Sequence, residues 1–483
     1  MQSTTDQLSL MPAHEQLGLF RTTKLSPVEV LKAQINRIET TNDAVNAITF
    51  RHFDTALEAA RASEKRYHCG DPRPLDGITV ALKDEYGRRG WIVTAGSFLF
   101  KDAIGHENHP VVDKLLEAGA VLHVQTTAPE FYLVAVTWSD LWGVTRNPWN
   151  PACTPGGSTG GSAAALATGM TTLAIGSDMG GSIRVPCALN GLYGSKPAYG
   201  RIASPDPSAL VPHASPGPLA RNSRDLFLLQ NIMSGPAPAC PAVLMPKLEL
   251  PLDPPTKQNW KIALWMDQSW ARIAPDVRTN TLKAAKVLET AGAIVDEIDL
   301  DLETSDSQLR QTIEKALFST ALGADLLEVA PEREQLTTYA RRFVDVASQM
   351  GPCDAMAAAQ ETLRLYRLID RQVFQAGYQA MITPTTATTT IAAGHDPTTD
   401  HAMVDGERVD SYCGWHLTSL FSLLNWMPVI NVPTGLSANN VPTGLQIAAR
   451  PYDDVTAAAI AAGYASHFAE LPFEQLFTPM GSR

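Results

Sequence analysis

The sequence predicts an α/β protein with a mixed, largely central β-sheet covered by helices on both faces. Short apolar runs typical of buried strands alternate with segments of helical periodicity along the chain. Hydrophobic residues make up 45% of the 483 residues, which is enough to bury a large core. A helix-rich stretch over residues 306–378 has apolar patches of its own, and we expect it to form a cap above that core.

The first elements follow from local start patterns. Ser26-Pro27-Val28-Glu29 combines the spacing of a capping box with a proline at the first helical position, so a helix begins there. A second helix is expected over 54–67. The turn Pro74–Gly77 then leads into the apolar strand Ile78–Leu82, which ends directly before Lys83.

The same patterns continue towards the C-terminus. The prolines of 145–151 exclude a central strand there, because proline cannot donate to the hydrogen-bond ladder. Asn439-Asn440 connects the last two expected strands as a hairpin. The expected helices are 111–118, 163–168, 224–233 and 276–291, and the expected strands are 120–124, 171–175, 261–265, 293–298, 381–384, 429–432 and 443–448.

We expect a single domain over residues 1–483. The proline-rich composition of 234–257 indicates an extended connector. The regions in order are N-terminal helices (about 1–70), the core with the candidate active site (71–233), the connector (234–257), a helix-rich cap or insert (258–380) and the C-terminal part of the core (381–483).

Charge and cysteine usage exclude several classes of protein. The net charge of −12 argues against nucleic acid or an anionic membrane as the main partner. The six cysteines never fall at CxxC spacing, and scattered free thiols suit a reducing cytoplasm. Neither a signal-peptide pattern nor an apolar run long enough to span a membrane is present, so we expect a cytoplasmic protein.

The 11 histidines form no metal-ligand spacing, and the sequence predicts no metal and no cofactor.

Two glycine-rich turns, Gly156–Ser162 and Asp178–Ser182, each carry a serine available for chemistry. Glycine lets backbone N–H groups approach a ligand closely, and such loops commonly hold negative charge. The Gly-x-Ser-x-Gly pattern around Ser158 lacks the preceding strand that a nucleophile elbow needs, and no lysine follows as in a Walker A loop. Acyl transfer by a serine remains, with another group to take its proton.

Lys83, GGSTGGS at 156–162 and DMGGSIR at 178–184 resemble the amidase signature family of serine hydrolases. The intervals of 75 residues from Lys83 to Ser158 and 24 from Ser158 to Ser182 also match that family. The resemblance runs from about residue 25 to 470 and implies the amidase signature fold. Further matching pieces are Asn147–Trp149, Gly194–Pro197, Tyr199–Arg201 and the region of Pro428, Pro433 and Gly444–Gln446.

The resemblance implies a Ser–cis-Ser–Lys triad. Ser182 would be the nucleophile, and Ser158, preceded by a cis peptide bond from Gly157, would pass its proton to Lys83. The implied oxyanion hole consists of the backbone N–H groups of Met179, Gly180, Gly181 and Ser182. Supporting roles fall to Gly157, Thr159, Asp178 and Arg184, with Asp178 and Arg184 as a structural pair that braces the loop.

Lys83 can act as a base only when it is neutral, and burial without a carboxylate partner would lower its pKa. Asp84 is adjacent, but neighbouring strand residues point to opposite faces, so it need not restore the charge of Lys83.

The sequence leaves the substrate open. Relatives with this signature cleave carboxamides, anilides, some esters and carbamates, and glutamine within tRNA-dependent amidotransferases. Trp415–Thr418 lacks the acidic residue expected of the glutaminase, although Asp410 lies close in sequence. We therefore favour an amidase for apolar or aryl substrates; the alternatives are a urethanase or esterase, a non-catalytic binding homologue and a glutaminase subunit. The expected partner is a small-molecule amide, carbamate or ester bound by a monomer or homodimer, and the candidate pocket residues are Phe131, Trp138, Trp142, Trp415 and Phe421.

Overall fold

One mixed β-sheet organises the chain. The computed structural model describes residues 7–205, 212–238, 240–254, 259–268 and 271–477. Within these residues, 11 strands form a single sheet, and two short pairs, β4–β5 and β12–β13, lie outside it. The strands are β1 (Ile48–Arg51), β2 (Thr79–Lys83), β3 (Val121–Thr126), β4 (Trp138–Ser139), β5 (Gly143–Val144), β6 (Leu173–Asp178), β7 (Tyr193–Lys196), β8 (Ser215–Ala220), β9 (Lys261–Leu264), β10 (Ile294–Glu297), β11 (Ala380–Pro384), β12 (Ala402–Val404), β13 (Glu407–Val409), β14 (Val429–Leu436) and β15 (Pro442–Ala449).

The strand order of the main sheet is β1-β3-β2-β6-β8-β7-β14-β15-β11-β9-β10. β2 is parallel to both β3 and β6, and β9 is parallel to both β10 and β11. The remaining neighbours are antiparallel, including the β14–β15 hairpin. The sheet is therefore mixed, as the sequence predicts.

Helices pack on both faces of the sheet. Side chains of successive strand residues alternate between separate apolar clusters: Val80 and Leu82 belong to one, and Ala81 belongs to another. The helices are α1 (Ala13–Arg21), α2 (Pro27–Val45), α3 (Phe53–Cys69), α4 (Pro110–Glu117), α5 (Gly160–Ala167), α6 (Arg184–Asn190), α7 (Ser223–Met233), α8 (Pro275–Thr290), α9 (Asp306–Phe318), α10 (Ala321–Glu328), α11 (Thr338–Ala347), α12 (Pro352–Ile369), α13 (Ser419–Leu423) and α14 (Asp454–Ala465).

Local patterns place most elements close to their observed bounds. The capping box at Ser26 is present, since its side chain accepts from Val28 N and Glu29 reaches back to Ser26 N. The expected hairpin is also present, with Ile430 opposite Ile447.

The central strand β8 is the main element that the patterns miss. It contains Pro216 and Pro218, and proline normally argues against a central strand. β7 pairs with β8 only at Leu219 and Ala220, so both prolines lie beyond that part of the ladder.

Strands that precede the proline-rich segment 234–257 and strands that follow it belong to the same main sheet. β9, β10 and α8 fall within the expected cap region, yet both strands pair in the main sheet. Helices α9 to α12 provide the cap-like part of that region. The described parts of 234–257 contain neither a helix nor a strand, and positions 239 and 255–257 lie outside the described residues.

Candidate active site

The site forms where two parallel strands end. β2 and β6 pair with Val80 opposite Leu173 and Leu82 opposite Ile175. Because parallel strands end at the same edge, the last residues of β2 and β6 come together there, as in many α/β sites. Lys83 ends β2, and Ser177 and Asp178 end β6.

The first glycine loop brings Ser158 to this edge. The Gly157–Ser158 peptide bond is cis, as the family resemblance implies. A side chain at position 157 would overlap the backbone of Val136, so only glycine fits. The loop leads directly into α5, which begins at Gly160.

Lys83 is fully buried and contacts three oxygen atoms. Its Nζ lies 2.8 Å from Ser158 Oγ and 3.0 Å from Ser177 Oγ. The third oxygen is Glu85 Oε2, at 2.9 Å. The ring of Tyr132 covers the amine, with its centroid 4.6 Å from Nζ.

Burial is the dominant influence on Lys83 and lowers the pKa of its amine. The carboxylates of Glu85 and Asp178 act in the opposite direction and raise it, but the pKa remains below its ordinary value. The expected direction is therefore correct, but the assumption that no carboxylate contacts Lys83 is wrong. Asp84 turns away as expected and accepts hydrogen bonds from the Thr94 N–H and hydroxyl.

The second glycine loop carries Ser182 beside Ser158. The Ser182 carbonyl accepts a hydrogen bond of 3.1 Å from Thr159 N, which joins the two loops. Ser182 also lines a cavity, together with Gly157 and Gly181. Gly181 has φ of 123°, and a side chain there would overlap the Thr418 hydroxyl, so this position also requires glycine.

The four amides expected in the oxyanion hole are not equivalent. Gly181 N donates to Asp178 Oδ1 at 2.9 Å, so this amide already has a partner. In the described part of the chain, no acceptor contacts the N–H groups of Met179, Gly180 or Ser182. Thr418 Oγ1 donates to the Gly180 carbonyl at 2.6 Å and holds that peptide in place.

Asp178 and Arg184 form the expected pair beneath the loop. Arg184 Nη2 lies 2.8 Å from Asp178 Oδ1, and its Nε lies 2.9 Å from Oδ2, with both side chains fully buried. The guanidinium also donates to Thr418 O, Gln446 Oε1 and Ser422 Oγ. This bidentate pair connects the second loop to the C-terminal part of the core.

Thr159 and Ser162 make hydrogen bonds that support the first glycine loop. The Thr159 hydroxyl donates to Ser177 O at 3.4 Å, and the Ser162 hydroxyl lies 2.7 Å from Thr126 Oγ1.

A cavity that is continuous with solvent opens onto Ser182. Its walls are mostly apolar. Several of the apolar side chains lie on α9, α10 and α11, in the cap-like part of the fold. The apolar lining residues are Leu133, Val134, Ala135, Met179, Ile313, Leu317, Phe318, Leu322 and Phe343.

The charged groups of the cavity are paired with one another. Arg310 Nη1 lies 2.6 Å from Asp410 Oδ2, and Arg342 Nη2 lies 3.0 Å from Glu314 Oε1. The Arg342 guanidinium also lies over the Tyr412 ring, 4.2 Å from its centroid. Each cation of the wall therefore has a carboxylate partner.

The structure places the five expected pocket aromatics elsewhere, and none lines the cavity at Ser182. Trp415 and Phe421 are buried in apolar clusters of the core. Trp138 and Trp142 donate to His395 O and Thr94 Oγ1, and Phe131 packs against Phe100. Core packing and hydrogen bonds occupy these side chains, and helices of the cap supply the walls instead.

Sequence reasoning missed Glu85, Ser177, Thr418 and the cap residues. Strand alternation does not extend to Glu85, because β2 ends at Lys83 and the Glu85 N–H donates to the Lys83 carbonyl in the turn that follows. No local pattern could have revealed Thr418, which is 238 residues from Gly180 and meets that loop only in the fold.

No group of three or more His, Cys, Asp or Glu in the described residues could hold a metal ion. Nor does any helix among those residues have the length and hydropathy needed to cross a membrane. The absence of a cofactor, the cytoplasmic location and the monomer or homodimer state remain predictions.

The fold is a mixed α/β sheet covered by helices, and its site brings two serine-bearing glycine loops to the edge that holds the buried Lys83. A family model described as Amidase matches residues 29–457. A glutamyl-tRNA(Gln) amidotransferase subunit from Syntrophus aciditrophicus is 29% identical over 492 residues, which cover 95% of this chain and 97% of that protein. The corresponding subunit from Chloroflexus aurantiacus is 31% identical, covering 91% and 93%.

A solved structure is also similar to this chain along nearly its whole length. A bacterial aryl acylamidase of the amidase signature enzymes aligns with a TM-score of 0.87 and 27% identity, covering 96% of this chain and 97% of its own. The chain belongs to the amidase signature family of C–N hydrolases.

Proposed function

We propose that this protein hydrolyses small carboxamides with an apolar or aryl acyl group, using Ser182 as nucleophile, Ser158 as bridge and Lys83 as base. The observation that carries this proposal is the largely apolar cavity that opens onto Ser182. Apolar walls favour an acyl group of the same character, because its burial removes apolar surface from water.

Acylation begins when neutral Lys83 takes the proton of Ser158, while Ser158 takes the proton of Ser182. Ser182 Oγ then forms a bond to the amide carbon, and the electron pair of the C=O bond moves to its oxygen. Collapse of this intermediate breaks the C–N bond, and the leaving nitrogen receives the proton through Ser158. Water attacks the acyl-enzyme by the same relay and releases a carboxylic acid.

The negative oxygen of the intermediate needs hydrogen-bond donors that are already oriented. The amides of Met179, Gly180 and Ser182 are the candidates, because Gly181 N is engaged by Asp178. One such donor contributes about 10²–10³ in kcat.

The paired charges of the wall support an uncharged substrate. A substrate carboxylate or ammonium would have to compete with Asp410 for Arg310, or with Glu314 for Arg342. An apolar group leaves both pairs intact. Carbamates and esters of similar shape would follow the same acyl-enzyme chemistry, so urethanase and esterase activity belong to this proposal.

A second candidate is the glutaminase subunit of a tRNA-dependent amidotransferase. The names of the curated relatives favour it, since those cited above are subunits of glutamyl-tRNA(Gln) amidotransferase. The likeness covers nearly the full length of both chains. His416 lines the cavity and belongs to Trp415–Thr418, the region that lacks the acidic residue which the family resemblance implies for the glutaminase; Asp410 is paired with Arg310. These two features favour the first candidate.

The test compares two substrates that share one leaving group. The pure protein is assayed with hexanoyl p-nitroanilide and with γ-glutamyl p-nitroanilide, which differ in the polarity of the acyl group. We expect kcat/KM for the hexanoyl substrate to be at least about tenfold higher. The Ser182→Ala variant serves as the control for background hydrolysis. Faster release from γ-glutamyl p-nitroanilide, or ammonia release from glutamine that requires a partner protein, would favour the glutaminase instead.

A further inference from the structure

The Lys83 amine has more hydrogen-bond partners than a single bridging serine requires. Ser158 Oγ, Ser177 Oγ and Glu85 Oε2 lie 2.8, 3.0 and 2.9 Å from Nζ. The Ser177 hydroxyl also donates to Glu85 Oε2 at 2.7 Å. Glu85 is the solvent-side member of this cluster, since 26% of its side chain is exposed and none of the Lys83 side chain is.

The number of N–H groups on the Lys83 amine determines which of its three neighbours it can donate to when it is neutral. A neutral amine has two N–H groups and one lone pair, whereas a protonated one has three N–H groups. Because the Ser177 proton is already donated to Glu85, Ser177 Oγ can accept from Lys83. Glu85 can only accept. Two N–H groups therefore face Ser177 and Glu85, and the lone pair is left for the Ser158 hydroxyl.

We propose that Glu85 is a positioning residue of this site. Its carboxylate, together with Ser177, holds the two hydrogens of neutral Lys83 so that the lone pair faces Ser158 Oγ. The same negative charge stabilises the protonated amine and so sets the pH at which Lys83 becomes a base. This inference rests on the proposed function, in which Lys83 accepts the proton of Ser158.

The pKa values of the neighbouring tyrosines, of His109 and of Asp178 shift away from the neutral range, whereas burial lowers the pKa of Lys83 from its ordinary value. Burial raises the pKa of Tyr86 and of Tyr132 well above the ordinary value, and Glu85 adds to both effects. Burial lowers the pKa of His109, whose ring packs on Tyr86, to about 4. Burial opposes ionisation of Asp178, but Arg184 more than offsets it and holds the pKa of that carboxyl low.

The sign of the expected effect follows from the charge. Removing the negative charge of Glu85 disfavours the protonated amine, so the Lys83 pKa falls further. The alkaline limb, on which kcat/KM rises as Lys83 loses its proton, then moves to lower pH.

Three variants separate charge from geometry. Glu85→Gln keeps an oxygen that can accept both hydrogen bonds and removes the charge; Ser177→Ala keeps the charge and removes one acceptor. Glu85→Ala removes both the charge and the acceptor. Glu107→Gln is the matched control, because it removes the same charge from an exposed position on a loop whose carbonyl lies near Gly87.

The measurement is the pH profile of kcat/KM on one anilide, with the melting temperature of each variant to verify folding. For Glu85→Gln we expect a plateau close to wild type and a limb at lower pH. At a fixed pH below the wild-type midpoint, its rate relative to its own plateau should be about tenfold higher or more. Ser177→Ala should lower the plateau value of kcat/KM about 10- to 100-fold, because the lone pair of Lys83 is less well oriented towards Ser158. Its alkaline limb should stay at the wild-type pH, because the charge of Glu85 is kept. Glu85→Ala should show both effects.

Two results would overturn the inference. One is a Glu85→Gln limb that coincides with those of wild type and Glu107→Gln; the other is a Glu85→Ala plateau equal to that of wild type. Neither result would affect the proposed function, provided that Lys83→Ala is inactive. If Lys83→Ala keeps both its activity and the limb, the proposed function itself fails.

Discussion

Replacing Asp178 by asparagine tests whether its buried ion pair with Arg184 holds the second glycine loop in place. Its carboxylate makes a bidentate pair with Arg184, at 2.8 and 2.9 Å, and both side chains are fully buried. It also accepts hydrogen bonds from Gly181 N and Ile183 N, at 2.9 and 3.2 Å. Asparagine has the same shape, but it removes the charge and puts an N–H group where one carboxylate oxygen was.

The expected cost is that of a broken buried ion pair. Among the described residues, Asp178 is the carboxylate that pairs with Arg184, so the guanidinium would stay buried without a counter-charge. Breaking such a pair by changing one partner costs about 3–5 kcal/mol. We expect a loss of this size in the free energy of unfolding, and a lower kcat because Gly181 and Ile183, on either side of Ser182, no longer have the carboxylate that accepts their N–H groups.

The pH dependence gives a second readout. Burial raises the pKa of Asp178, but the charge and hydrogen bonds of Arg184 more than offset it, so the pKa is lowered. A carboxyl with a lowered folded pKa contributes stability that is fully present above its unfolded pKa of about 4. This contribution is lost as the pH falls through the folded pKa. The stability gap between wild type and Asp178→Asn should therefore be constant near neutral pH and become smaller in acid.

Urea unfolding followed by tryptophan fluorescence, repeated from neutral to acidic pH, measures both effects. Asp267→Asn is the control, since Asp267 pairs with Arg278 at the surface and exposed pairs contribute about 0–1 kcal/mol. Two results would contradict this role of the ion pair. One is a loss of stability in Asp178→Asn no larger than that in Asp267→Asn; the other is a stability difference between wild type and Asp178→Asn that stays unchanged in acid.

Two further predictions concern the triad. Ser182→Ala should abolish labelling by a fluorophosphonate, whereas Ser158→Ala should keep a small residual activity; a mass-mapped adduct on Ser158 would reverse the two assignments. Lys83→Arg should lose several orders of magnitude in kcat/KM and lack the alkaline limb of the wild type, because a guanidinium stays protonated. Near-normal activity of Lys83→Arg with an unchanged pH profile would show that Lys83 is not the base.

Local patterns account for much of the fold. The capping box at Ser26 and the β14–β15 hairpin depend on residues that are close in sequence, and both are present. No such pattern predicts β8, because Pro216 and Pro218 argue against a central strand and their effect depends on which side of the strand has a neighbour. A strand's neighbours are set by the topology of the whole sheet, which no short window contains.

The sequence by itself determined the residues of the candidate triad, the two glycine loops and the Asp178–Arg184 pair. These features are local or belong to motifs with a defined spacing, so they can be read before the fold is known. Only the tertiary structure decided that Glu85 contacts Lys83, that Thr418 holds Gly180, and that cap helices rather than the expected aromatics line the cavity. The physical reason is that a pocket wall depends on how distant elements pack, and an apolar side chain fits a core and a pocket equally well.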